Sequence, residues 1–184
     1  RTITSNNNSD KTHNLAINGS ISDGGGGFGL IKSGGSQLRL GGGNTYSGVT
    51  SVTNGVLVLG HATALPGGTG TTGGTSGLTL AGTVNNGAVI GLGAGDFTRG
   101  LGTGADQVQW TGHGGFAAFG ADRIVNLGGA GATVQWAASN FVPNNFNRVF
   151  GYGNGGDSQD STHTVNFQNP IDLNGGVRSI RVND

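Results

Sequence analysis

Apolar residues in this chain come in short pulses of three or four, and glycine-rich sequence closes each pulse. Leu38-Arg39-Leu40, Val56-Leu57-Val58-Leu59, Leu78-Thr79-Leu80, Val108-Gln109-Trp110, Val134-Gln135-Trp136 and Val165-Asn166-Phe167 read as alternating strands at spacings of roughly 18 to 31 residues. Between them lie stretches such as Gly41-Gly42-Gly43-Asn44 and the run 67–74, which supply positive-φ positions and interrupt any regular element. Pulses this short do not suit a sandwich, whose strands run five or six residues with alternation throughout. They suit a coil in which each strand lies about 4.8 Å from its equivalent in the next turn and covers that neighbour's open edge. Val-Gln-Trp recurs at an offset of 26 residues, from Val108 to Val134. The expected fold is therefore all-β: a right-handed parallel β-helix, or β-solenoid, of roughly 20–26 residues per coil, spanning 1–184 as a single segment. About nine coils would make a rod on the order of 40 Å long.

Composition narrows the alternatives. The 41 Gly, 19 Asn, 19 Thr and 13 Ser make up half of the 184 residues, while Leu, Ile, Val and Phe number 43, enough for a thin core. With no Glu, no Met and two Lys, a mainly helical protein is excluded. A net charge of zero excludes the polybasic kind of nucleic-acid or anionic-membrane binder. Absence of cysteine removes disulfides, thiolate metal sites and thiol nucleophiles, and no apolar run approaches the length of a membrane-spanning helix. The chain opens on Arg1 and has no Met, so it reads as a piece of a longer polypeptide. Arg1-Thr2-Ile3-Thr4-Ser5-Asn6 resembles Arg178-Ser179-Ile180-Arg181-Val182-Asn183 at an offset of 177 residues, which predicts one unit of a longer array continuing head to tail.

Residues with chemical potential are scattered. His13, His61, His113 and His163 lack the close pairing of metal ligands and read as solvent-facing turn positions. The stretch 153–160 carries one imperfect copy of a calcium-binding nonapeptide, a motif that works only in tandem, and Asp157 with Asp160 reads as a polar loop. The glycines of 24–29 and 91–95 lack the following helix a phosphate loop needs, and read as corners. Trp110, Trp136, Phe116, Phe119, Phe141, Phe146, Phe150 and Phe167 crowd the second half; they read as a wider stacked core, with Gln109 and Gln135 pointing outward. Arg1, Arg123 and Arg178 open strands and suit a solvated edge.

A longer pattern is more specific. Gly29-Leu30-Ile31-Lys32-Ser33-Gly34-Gly35-Ser36-Gln37-Leu38-Arg39-Leu40, then Gly43-Asn44-Thr45-Tyr46-Ser47-Gly48-Val49-Thr50, then Val52-Thr53-Asn54-Gly55-Val56-Leu57-Val58-Leu59-Gly60, resembles the autotransporter-associated β-strand repeat. The best match covers 28–60, with Ile31, Ser36 and Val56 as departures. The signature positions are Gly34, Leu38, Leu40, Asn44, Thr45, Tyr46, Gly48, Thr50, Val52, Gly55 and Leu57. The resemblance implies a β-helix in an exported passenger or giant bacterial surface protein, located outside the cell or on its surface. It attaches no catalytic residue, metal or cofactor to these positions. The expected role is structural: a segment of an extracellular fibre, stalk or adhesin whose partners are further copies of itself, with surface glycans or neighbouring cells as possible contacts, and neither nucleic acid nor membrane insertion. The alternative is a carbohydrate-active or glycan-binding β-helix module.

Overall fold

The computed structural model describes residues 1–5, 14–83, 87–138, 140–151 and 163–182. In chain order the strands are β1 (Thr2–Thr4), β2 (Leu15–Ile17), β3 (Leu30–Ser33), β4 (Gln37–Leu40), β5 (Thr50–Val52), β6 (Gly55–Leu59), β7 (Leu78–Leu80) and β8 (Ala88–Leu92). They continue as β9 (Gly100–Leu101), β10 (Gln107–Trp110), β11 (Gly114–Ala118), β12 (Arg123–Val125), β13 (Val134–Gln135), β14 (Arg148–Phe150), β15 (Val165–Phe167), β16 (Ile171–Asp172) and β17 (Ile180–Val182). The chain visits two large sheets alternately. One stacks β1-β3-β5-β7-β10-β9 and the other β17-β14-β11-β8-β6-β4-β2, while β12-β15 and β13-β16 form two small sheets. Every strand pair is parallel, as expected when each turn returns to the same side before laying its next strand. The fold is a parallel β-solenoid.

Register turns the short pulses into continuous rows. Across the second sheet, Leu15, Leu38, Leu57, Ile90, Phe116, Phe150 and Val182 succeed one another, one per turn. Beside them run Ile17, Leu40, Leu59, Leu92 and Ala118. In the first sheet the inward rows are Leu30-Thr50-Leu78-Val108 and Ile3-Lys32-Val52-Leu80-Trp110. Leu38, Leu57, Ile90, Leu80, Phe116 and Trp136 are among the fully buried members of the resulting core. At about 4.8 Å per strand, the seven strands of the second sheet span about 30 Å. That is fewer turns and a shorter rod than expected.

The difference comes from loop insertions. The pairing Leu38↔Leu57 closes a turn in 19 residues and Leu30↔Thr50 in 20, but Val56↔Val89 takes 33 and Val125↔Phe167 takes 42. The repeated Val-Gln-Trp is not one turn apart: Val108 pairs with Leu78 and Leu101, whereas Val134 pairs with Ile171. Nor do the matching segments at the two ends stand at equivalent places, since β1 edges the first sheet and β17 edges the second. The apolar content also departs from a single column. Val56, Val58, Val89, Ala117 and Val149 form a second buried cluster on the outward rows of the second sheet, packed by Phe119, so Phe119 lies outside the main core. Strands β6, β8 and β11 are buried over all five residues, so Val56-Leu57-Val58-Leu59, read from the sequence as an alternating strand, is instead a continuous apolar run covered on both faces. Gly91, expected in a corner, is a strand residue of β8.

The aromatic half is organised around a cation. Arg148 follows Gly55, Ala88 and Gly114 in an inward row of the second sheet, where the smaller residues leave space. Its guanidinium is completely buried, 4.6 to 5.4 Å from the ring centres of Trp110, Phe116, Phe141, Phe150 and Phe167. Nε, Nη1 and Nη2 have no hydrogen-bond partner, and burial lowers the pKa to about 9. Desolvating such a cation costs several kcal/mol, and five aromatic faces each return about 0.5–2 kcal/mol, so the two terms nearly cancel. Substitution Arg148→Met removes both and is expected to leave the unfolding free energy within about 1 kcal/mol of the parent, or above it. Arg148→Ala is expected to lower it by about 2–5 kcal/mol through the cavity left among the rings. Urea denaturation followed by Trp fluorescence measures both.

Candidate functional site

A solenoid must turn corners between its sheets, and backbone carbonyls buried at those corners need hydrogen-bond donors. In the stretch resembling the repeat, Lys32, which is not one of the signature positions, and the polar signature residues Asn44, Tyr46 and Thr50 satisfy such groups. Lys32 occupies a core row between Ile3 and Val52, and its side chain is fully buried. From there Nζ donates to the carbonyls of Ser33 (2.7 Å), Gly34 (2.6 Å) and Asn54 (3.0 Å). All three ammonium donors are used. Burial lowers the Lys32 pKa to about 8, so the charge survives at neutral pH.

Asn44 does the corresponding work on the opposite side. Its Oδ1 accepts from the Ile21 amide at 2.8 Å and its Nδ2 donates to the Ala64 carbonyl at 2.6 Å, so one buried side chain joins the turns before and after its own. Thr45 next to it is exposed and contributes its backbone, donating to the Ile21 carbonyl. The buried phenol of Tyr46 bonds Thr50 Oγ1 at 2.7 Å, Thr50 Oγ1 bonds Ser76 Oγ at 2.8 Å, and Ser76 donates to the Gly48 carbonyl. Burial raises the Tyr46 pKa, keeping the phenol neutral. A Cβ at Gly48 would lie 2.3 Å from the Gly29 nitrogen, so the close approach of strand to corner requires glycine. Gly55 has φ +70° and lies over the carbonyls of Gly34 and Ser36, while Gly34 has φ +79°. Leu38, Leu40, Val52 and Leu57 fill the core rows.

Several groups in the same network were not among the signature positions. Arg99, fully buried, donates to the carbonyls of Pro66, Gly68, Ser76 and Ala105, and so fastens the 61–77 insertion to the core; burial lowers its pKa to about 10. Asn169 repeats the Asn44 device, with Oδ1 accepting from the Leu127 amide and Nδ2 donating to the carbonyls of Leu127 and Ala132. Asp23 accepts from Ser47 Oγ and N, Gly25 N and Phe28 N, and these bonds, led by the Ser47 hydroxyl, hold its pKa down to about 2. Lys32 stands out in the sequence as a charge inside an apolar pulse, but Arg99 and Asn169 carry no local signal.

The candidate chemical groups are dispersed. His61 and His163 are exposed, whereas His113 is buried, contrary to expectation; His13 and the 153–160 stretch with Asp157 and Asp160 lie outside the described residues. Among the described residues no group of three or more His or Asp side chains is placed to hold a metal ion. An open groove of about 550 Å³ is bordered by Asp96 and Asp122. Their carboxylates accept from the Ile124 and Thr164 amides at 2.9 and 2.8 Å, stapling one turn to the next. Gln109 and Gln135 do point outward, and each bonds a neighbouring turn, through Thr79 and Asp172. Arg123 and Arg178 are half-buried and cap carbonyls of Leu92, Gly93 and Leu173 rather than standing free in solvent.

Residues 30–59 match the family model of the passenger-associated-transport-repeat. Neither the curated proteins nor the solved structures give a match to the chain. The matched stretch runs from β3 to the end of β6, two successive turns of the solenoid, and holds Lys32, Asn44, Tyr46 and the glycines of the corners.

Asn44→Ala is expected to cost about 2–5 kcal/mol, because it leaves the Ile21 amide and the Ala64 carbonyl buried and unpaired. Thr45→Ala should stay within about 0.5 kcal/mol; chemical denaturation compares them. Asp23 is ionised more readily in the fold than in the unfolded chain, so its contribution is complete above about pH 4 and lost as the pH falls through about 2. Asp23→Asn should therefore flatten the acid limb of a stability profile in that window.

Proposed function

We propose that this chain is a structural segment of an exported bacterial surface protein, a length of extracellular stalk, fibre or adhesin in which turn stacks on turn and further copies continue the rod head to tail. The role is mechanical: each turn presents backbone and side-chain rows that template the next. The observation that carries the reading is the uninterrupted row from Leu15 to Val182, whose last turn leaves Leu173, Val177, Ile180 and Val182 exposed, Val177 completely. An apolar end of this kind matches a surface that another turn covers. At the other end Leu15 is 41% exposed on β2. The match of 30–59 to a passenger-associated repeat supports export to the cell surface.

Electron microscopy of the purified chain over a concentration series tests the reading. Rods lengthening in multiples of about 30 Å are expected, with Ile180→Asp and Val182→Asp returning them to single units. Single rods at every concentration would overturn head-to-tail assembly.

A further inference from the structure

His113 sits where three successive turns meet. Its backbone exchanges two hydrogen bonds with Gly82, at 3.0 and 2.9 Å, and its carbonyl also accepts from the Ala88 amide. The residue is 4% exposed, and its ring lies edge-on to Phe146, with ring centres 4.9 Å apart. Nδ1 is 3.0 Å from the Asn147 nitrogen. A backbone N–H can only donate, so Nδ1 must offer a lone pair and the single ring proton must reside on Nε2, which is buried without a partner. A second proton would set donor against donor at Asn147.

Among the described residues no acidic group offsets a positive charge on the ring. Arg181 on β17 is the charged group whose field reaches it, and that field opposes protonation, adding to the effect of burial. Arg148, adjacent to Asn147 in the chain, turns its guanidinium into the aromatic cage. Among the described residues no carboxylate bonds the imidazole.

We propose that His113 is an acid-released latch: neutral, it holds the fourth, fifth and sixth turns together through Gly82 and Asn147, and protonated it lets the segment around Phe146 and Asn147 part from the corner that precedes β11. The direction follows from the bonding. The closed form needs the neutral ring, so the open form takes up the proton first. The latch is fully engaged above the ordinary imidazole value of about 6.5 and weakens as pH falls below it, by up to about tenfold in the opening equilibrium per pH unit. This inference does not depend on the assembly reading above.

Amide hydrogen exchange at Asn147 between pH 7.5 and 5, corrected for intrinsic rates, tests it. Wild-type protection is expected to fall with acidification by up to about tenfold per unit. His113→Gln, whose Oε1 can accept the same N–H without titrating, should remove that dependence, and His61→Gln should track the wild type. Protection independent of pH in the wild type, or the same loss in His113→Gln, would overturn the latch. Should His113→Gln not fold, nitrogen NMR of the wild-type imidazoles decides: a neutral Nε2–H tautomer of His113 titrating below the ordinary imidazole value of about 6.5 is expected, and an Nδ1–H tautomer or a midpoint at or above that value would refute the proposal.

Discussion

Satisfying backbone groups at the corners is the constraint on which this solenoid depends. Along the strands, successive residues direct their backbone groups alternately to the turn before and the turn after. At each corner the pairing lapses, and buried carbonyls or amides there need other partners. Long polar side chains rooted in the core fill the gap: Lys32 at the first corner of its turn, Asn44 and Asn169 on the opposite side, Arg99 beneath the 61–77 insertion. Each joins segments from different turns. The polar minority of the interior thus sets register as much as the leucine rows do.

Tolerance of insertions follows from the same arrangement. Between Leu38 and Leu57 the turn is close to minimal, whereas between Val125 and Phe167 it is more than twice as long. A longer loop adds little closure entropy if its ends are fixed, and here they are fixed by Arg99, Asn169 and the Asp96 and Asp122 staples. The second half adds a different solution, in which aromatic rings from five segments enclose the Arg148 guanidinium.

Legibility from sequence tracked how local each device is. The pulses Leu38-Arg39-Leu40 and Leu78-Thr79-Leu80 emerge as strands, because alternation over three residues already fixes which side chains face inward. Val56 to Leu59 deceives, since a strand buried on both faces shows no alternation to read. Repetition deceived as well: Val108 and Val134 share a tripeptide, but the insertions between them shift the register so that they never pair. His113 looks like any turn histidine, and only the packing of Phe146 and the amide of Asn147 makes it an interior one.

By itself the sequence determined the class of architecture and the stretch that matches a known repeat. Glycine every few residues forbids long elements, alternating pulses demand stacked edges, and the segment from Leu30 to Leu59 carries its corner glycines, its Lys32 and its Asn44 within thirty residues. The tertiary structure decided which turns are neighbours, where the second apolar cluster lies, and which distant residues meet at Arg99, Arg148, Asn169 and His113. The physical reason is that these contacts reach across as many as 42 residues with no fixed period. Their partners are chosen by how each insertion folds back on the rod, and loop conformation leaves no periodic trace in the chain.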